Sequence, residues 1–281
     1  MNLDNFITTI LLIAGFYVVF FIGKLVNDLL HREYNLTFEL VEKDNPALAL
    51  AVGGYYLGLV FCIGGALAGP SNGIIEDLID LGIYGFLSIV LINISWFLCD
   101  KLILYKFNTK DELIRDHNQG AGAVFCGVSI ASGLVIFGAV SGEGGNIWTA
   151  IVFWAVGQVI LILSGLIYNL ITSYDIHDEI EKDNVAAGVS FSGVLVAIGI
   201  LVGLAAENNF ESWSEDMLDF IIIVVLGLLL LPVVRLLTDK ILLPTVKLSH
   251  EIANQKHPNV GAAYIEAFSY IGGALVIYWC V

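Results

Sequence analysis

The sequence predicts an all-α, polytopic membrane protein of eight transmembrane helices, built as four parallel two-helix repeats that form two four-helix halves. Three observations predict it. Of the 281 residues, 58% are hydrophobic and only 14% charged, with a mean hydropathy of +0.85, whereas soluble domains sit near about 45–50% apolar and about 25% charged. Apolar runs of roughly 20 residues, enough to cross a ~30 Å hydrocarbon core as helix, recur eight times. Short polar motifs recur with them at a fixed period.

The spans lie near 5–27, 47–67, 79–104, 119–140, 147–171, 185–205, 217–243 and 260–280. They are rich in Leu, Ile and Val and lack the two-residue alternation of a membrane-barrel strand. The first has no basic n-region, and its first cation, Lys24, follows the apolar run. It therefore reads as an uncleaved anchor with an outward N-terminus, not as a secretory signal.

Orientation follows from the cations. Lys24, Arg32 and Lys43 lie at or between spans one and two, and Lys101, Lys106, Lys110 and Arg115 between three and four. Lys182 lies between five and six, and Arg235, Lys240, Lys247 and Lys256 end or follow span seven. The opposite connections, 68–78, 141–146 and 206–216, hold none. The positive-inside rule makes the lysine side cytoplasmic and puts both termini outside the cytoplasm. With 12 Lys+Arg against 27 Asp+Glu the net charge is −15, which excludes nucleic acid as a partner.

The repeats set the domain plan. An Asn followed by small residues precedes every even span: Asn45-Pro46-Ala47, Asn118-Gln119-Gly120-Ala121, Asn184-Val185-Ala186-Ala187 and Asn259-Val260-Gly261-Ala262. A Glu lies upstream each time, at Glu39, Glu112, Glu179 and Glu251. A longer period of 139 relates Glu76-Asp77 to Glu215-Asp216, Asp80 to Asp219, Asp100 to Asp239 and Asn45 to Asn184. The chain thus divides into a first half, 1–142 (hairpins 1–68 and 74–141), and a second, 143–281 (hairpins 147–206 and 214–281). Parallel repeats relate by an axis along the membrane normal, so equivalent features are expected to form rings at constant depth. Even spans carry Gly and Ala, which allow close helix approach. They are expected to form a tightly packed inner set, with the Leu-, Ile-, Val- and Phe-rich odd spans outside.

The four Asn-x-Ala/Gly-small helix starts, clearest at Asp183-Asn184-Val185-Ala186-Ala187-Gly188, resemble the bacterial domain-of-unknown-function 350 family, which includes the YjfL-like inner-membrane proteins. The resemblance covers most of the chain. It implies tandem units in a bacterial inner membrane, no established activity, and a genomic association with polyamine-type ligase and envelope-stress genes. Pro46 and the inserted Lys256-His257-Pro258 depart from the pattern.

Individual residues admit a bland and a sharp reading. Asn45, Asn118, Asn184 and Asn259 are expected as helix N-caps; the sharper alternative is a ring of amides binding an anion. Glu76, Asp77 and Asp80, with Glu215, Asp216 and Asp219, either offset the positive end of a helix dipole or form an outer acidic mouth that attracts cations. Glu266, seven residues into span eight, breaks the repeat, since Val52, Phe125 and Phe191 stand at the matching positions. Ionisable groups at membrane depth are functional candidates by default, so Glu266, Arg235, Asp239, Lys24, Asp28 and Asp100 are the transport-path candidates. The alternative is a structural Arg235–Glu266 pair, or snorkelling by Arg235. Gln158 and Asn93 are read as interhelical hydrogen-bonders, the five histidines as solvated loop residues, and the four cysteines as packing residues.

No metal site, no cofactor motif and no enzymatic constellation is expected. The favoured function is a transporter or channel for a small cation, polyamine being suggested only through the resemblance. The rival is a non-transporting scaffold of an envelope-stress or lipid-associated system. Expected partners are membrane lipid, a small cation, a further copy of the chain, and a cytoplasmic protein met through loops 28–45, 105–118, 172–184 and 244–259.

Overall fold

The computed structural model describes residues 3–69, 71–142, 144–207 and 209–281, with side chains from residue 6 onward. The 142/143 boundary between the expected halves meets Glu143, which lies outside the described residues, as do Pro70 and Asn208 in the other cation-free connections. Among the described residues there is no strand.

Among the described residues eight helices are long and apolar enough to cross a membrane. They are α1 (Leu3–Leu30), α3 (Pro46–Ala68), α4 (Ile74–Leu98), α5 (Gln119–Ser141), α6 (Ile147–Ile171), α8 (Val185–Ala206), α9 (Trp213–Leu237) and α11 (Val260–Cys280), with short α2 (Leu36–Val41), α7 (Ile176–Glu181) and α10 (Leu248–Ile252) between. α4 and α9 begin ahead of their expected starts and take the acidic triplets into their opening turns. Carboxylates offset the positive dipole end there, and Asp77 and Asp216 each bind the backbone just before the helix: Asp77 Oδ1 accepts from Asn72 N–H at 3.2 Å, and Asp216 Oδ2 from Ser212 N–H at 2.9 Å. Both helices end in a π turn, at Cys99–Ile103 and Thr238–Leu242.

The even-numbered spans are α3, α5, α8 and α11. α3 packs on α5, α5 on α8, and α8 on α11, leaving α3 and α11 at opposite ends. The expected ring is therefore an open row. Backbones meet in it directly: a Cβ at Gly133 would stand 2.5 Å from the Gly58 carbonyl oxygen, and one at Gly203 2.6 Å from that of Leu134. Only glycine permits such approach, and here dispersion between backbones stands in for the hydrophobic drive that lipid removes.

The odd spans form a second row, α1 on α4, α4 on α6, α6 on α9. They do not surround the even helices but cover one face of them. The other face of α8 stays partly open along Ser192, Val196, Ile200 and Leu204. The architecture is thus two layers of four helices. Within each two-span hairpin, the segment expected as a loop carries a short helix or a π turn (Asp111–Arg115) whose buried residues, such as Leu113, Ile180 and Ile252, seal the Asn-capped end.

Candidate functional site

At that end a small motif is repeated four times. Each Asn accepts from a backbone N–H three residues on: Asn45 from Leu48, Asn118 from Ala121, Asn184 from Ala187 and Asn259 from Ala262, at 3.0–3.1 Å. Each Asn amide donates to the Glu of its own unit, from 2.7 Å at Glu112 to 3.3 Å at Glu39. In the first three units it also donates forward to the next unit, Asn45 to the Leu113 carbonyl at 2.8 Å, Asn118 to Ile180 at 2.6 Å and Asn184 to Ile252 at 2.8 Å. Both amide hydrogens of these three are thereby used, so none is left to bind an anion. The residue before each of the three, Asp44, His117 and Asp183, has positive φ of 49°, 55° and 61°. Proline cannot adopt that conformation, and the fourth unit, with Pro258 there, uses a longer loop.

The glutamates of this ladder differ in proton affinity. Burial alone would raise the Glu39 carboxyl, but hydrogen bonds from Lys43 and Asn45 outweigh it and hold it below its ordinary value. At Glu112 burial wins over the Asn118 bond and the carboxyl is raised. Opposite linkage follows. The stability tied to Glu39 is present above its unfolded-state pKa and is lost as pH falls through its lowered folded one. That tied to Glu112 is present below the unfolded value and is lost as pH rises through the raised one. Glu112→Gln should therefore reduce the loss of stability on raising pH through the weakly acidic range, and Glu39→Gln should reduce the loss on acidification. Thermal midpoints in detergent measured across pH check both; a Glu112→Gln profile parallel to wild type would refute the first.

The second feature lies within the membrane layer. Arg235 of α9 and Glu266 of α11 meet as an ion pair through Nη1 and Oε1, with Glu266 fully buried and Arg235 7% exposed. Arg235 also donates to Tyr168 Oη at 3.3 Å and to Ser249 Oγ at 2.9 Å, and its guanidinium lies 5.6 Å from the Tyr168 ring centroid. Four further buried oxygens, Glu266 Oε2, Tyr174 Oη, Tyr270 Oη and Ser190 Oγ, have no hydrogen-bond partner among the described residues. Asp239, one turn beyond Arg235, is used otherwise: its Oδ1 accepts from Leu248 N–H at 2.8 Å.

The first half puts apolar rings where the second half has charge. Trp96 stands 139 residues before Arg235, and Phe125 lies seven after Asn118 as Glu266 lies seven after Asn259. The Trp96 and Phe125 rings meet tilted at 37°, with centroids 4.7 Å apart. The repeat thus holds one contact between its two layers as a ring pair in one half and an ion pair in the other.

The remaining candidates are separate. Lys24 and Asp28 pair at 2.5 Å on half-exposed α1, and Asp100 pairs with Lys101 at 2.6 Å. Asp77 and Asp80 line a cavity of about 600 Å³ at the acidic end, with Tyr84 and Thr149. Asp100 lines another of about 480 Å³ at the Asn-capped end, with His31, Glu33 and Asn93. In the second half Ser212 caps α9, its Oγ accepting from Glu215 N–H at 3.3 Å, while Asp216 Oδ2 accepts from the Glu211 and Ser212 N–H groups at 3.0 and 2.9 Å. Asn93 donates to Tyr55 Oη at 3.0 Å, and Gln158 to Ser132 at 3.3 Å, both between helices. His177 is not solvated: it is buried, and its Nε2 donates to the Ile103 carbonyl at 2.7 Å. Among the described residues no three His, Cys, Asp or Glu side chains converge as metal ligands.

The tyrosines and serines around Arg235 carry no mark of their own in the sequence. Their one available signal is the break in the repeat at Glu266, since a lone buried acid requires polar neighbours.

A family model described as Domain of Unknown Function (DUF350) matches residues 1–140 and again 144–281. The chain is also similar to a UPF0719 transmembrane protein of Aquifex aeolicus (strain VF5), 25% identical over 270 residues that cover 94% of this chain and 96% of the relative. No solved structure matches.

Proposed function

The chain belongs to the DUF350 family, and we propose that this member carries a small cation along α4 of its first half, between an acidic vestibule at each end. One observation carries the reading: the cavities lined by Asp77 and Asp80 and by Asp100 and Glu33 both open beside α4. Asp80 and Asp100 are twenty residues apart, about 30 Å of helix and one hydrocarbon thickness. Between them Asn93 bonds to Tyr55, and Tyr55 Oη donates to the Gly23 carbonyl at 3.2 Å, a polar chain across α4, α3 and α1. Buried Leu81, Ile89 and Ile92 close the way between the vestibules. A carrier that opens to one side at a time needs such a closure.

In this reading Glu266 is not the cation ligand. Its charge is met by Arg235, so a cation entering there would face a guanidinium already in place. The Asn-capped end faces the cytoplasm, because ten of the 12 Lys and Arg lie at or beyond it and the other two, Lys24 and Arg235, lie in the halves of α1 and α9 leading to it. A polyamine suits two carboxylate vestibules as well as a monovalent ion does.

The second reading is a non-transporting scaffold, and the observation favouring it is the sealed Gly-packed row. Flux into proteoliposomes decides between them, with Na⁺, K⁺, H⁺ and spermidine tested in turn. Asp80→Asn and Asn93→Leu are expected to cut flux at least tenfold while leaving the protein folded. Flux that survives both but is lost in folded Glu266→Gln would return the path to the second half. No flux for any cation, with folded and inserted protein, would leave the scaffold, contacting partners through segments 28–45, 105–118, 172–184 and 244–259.

A further inference from the structure

The row of even helices stops, but the contact that builds it does not run out of surface. Each helix turns one face forward to the next helix and a different face back to the previous one. Counted from the Asn cap, the ninth residue forward meets the eighth residue of the next helix three times over: Gly54 on Cys126, Gly127 on Ser192 and Gly193 on Ala267. The twentieth meets the nineteenth twice, Gly65 on Phe137 and Gly138 on Gly203. The thirteenth and fifteenth also face each other, as Gly58 with Gly133 and Ala131 with Gly199.

The forward face of α11 and the backward face of α3 have no partner among the described residues. On α11 the ninth and twentieth positions are Phe268 and Trp279, 65% and 73% exposed. On α3 the eighth and nineteenth are Gly53 and Gly64, and a Cβ at either would find nothing within 4 Å. The sizes are complementary with the sense reversed. Inside the chain a forward glycine receives a backbone or larger side chain; at the ends a forward aromatic would face a bare glycine. The third pair is complementary in the sense found inside the chain, with open forward Gly272 on α11 opposite Val60, 40% exposed, on α3.

The cap ladder is interrupted at the same place. Asn45, Asn118 and Asn184 are buried and each donates to the carbonyl just after the next unit's Glu. Asn259 is exposed, and among the described residues its amide reaches only Glu251, at 2.9 Å. The carbonyl that would complete the series belongs to Leu40, the residue after Glu39.

From these two independent breaks we infer that a second copy of this chain continues the row. Its α3 seats on α11, with Phe268 over Gly53, Trp279 over Gly64, and Asn259 donating to the Leu40 carbonyl. The contact is heterologous, one end of a copy against the other end of the next, so each copy can both give and receive.

Cysteine cross-linking in native membranes tests it. Two differently tagged copies, both carrying Cys280→Ser, are co-expressed, one with Gly53→Cys and the other with Phe268→Cys, and the membranes are oxidised. A disulfide-linked heterodimer is expected for this pair and for Gly64→Cys with Trp279→Cys. It is not expected for Phe86→Cys with Phe268→Cys, where Phe86 is comparably exposed on α4. In the cysteine-intact protein, Gly53→Trp with Gly64→Trp should fold, because both sites are open, yet cut co-purification of the two tags at least tenfold. Three results would each overturn the inference and leave lipid as the cover of both faces. They are no link between Gly53→Cys and Phe268→Cys copies in inserted protein, a link no stronger than the Phe86 control, and unchanged co-purification of the tryptophan variant.

Discussion

Replacing Arg235 by Leu is expected to destabilise the protein by about 3–5 kcal/mol, and Glu266→Leu by a similar amount, whereas the double variant should recover to within about 1–2 kcal/mol of wild type. The reasoning starts from Glu266, which is fully buried, with one oxygen on Arg235 and the other without a partner among the described residues. Removing either ion leaves its partner's charge stranded in low dielectric. Removing both leaves two apolar side chains between α9 and α11. The first half already holds the equivalent contact that way, with Trp96 against Phe125. Unfolding curves in detergent, arranged as a double-mutant cycle, measure the coupling. A double variant as unstable as the sum of the singles would show that the two residues act independently. Glu266→Gln adds a functional reading: if it fails to assemble, the pair is structural, and if it folds and flux changes, the second half takes part in transport.

The other large effect belongs to the glycine row. Gly188→Leu should abolish assembly or cost well over 3 kcal/mol, beyond ordinary overpacking, because a Cβ there would stand 2.5 Å from Gly120 Cα and 2.6 Å from its carbonyl carbon. Backbone cannot rotate aside as a side chain can, so α5 and α8 would have to separate. The control is Gly82→Leu, at an open site on α4, where helix propensity alone favours Leu by up to about 1 kcal/mol. Folded yield after detergent extraction, read by size-exclusion profile, distinguishes them. Equal yield from both variants would mean that close backbone approach is not what holds the row.

The sequence carried the parts of this protein that depend on neighbours along the chain. A span is legible because twenty apolar residues in a row have one way to satisfy their backbone in lipid, and all eight runs form helices. The repeat is legible because Asn, Glu and glycine recur at fixed offsets, and each cap of the kind Asn45 makes is a contact over three residues. Even the polarity break at Glu266 is visible as a departure from Val52, Phe125 and Phe191.

What only the tertiary structure decided are contacts between residues far apart in the chain. Whether Arg235 turns to Asp239, one turn away, or to Glu266 on another helix depends on the rotation of α9 against α11, and no local rule sets that rotation. The same holds for Tyr168, Tyr174, Tyr270 and Ser190 around the pair, and for His177, buried where a loop histidine was expected because it meets the Ile103 carbonyl and the Tyr105 ring. The expected ring became an open row for a related reason. A repeat in sequence gives every even helix the same two contact faces, but whether the series closes depends on where the last helix ends in space. With α11 and α3 at opposite ends, their matching faces remain for something beyond this chain.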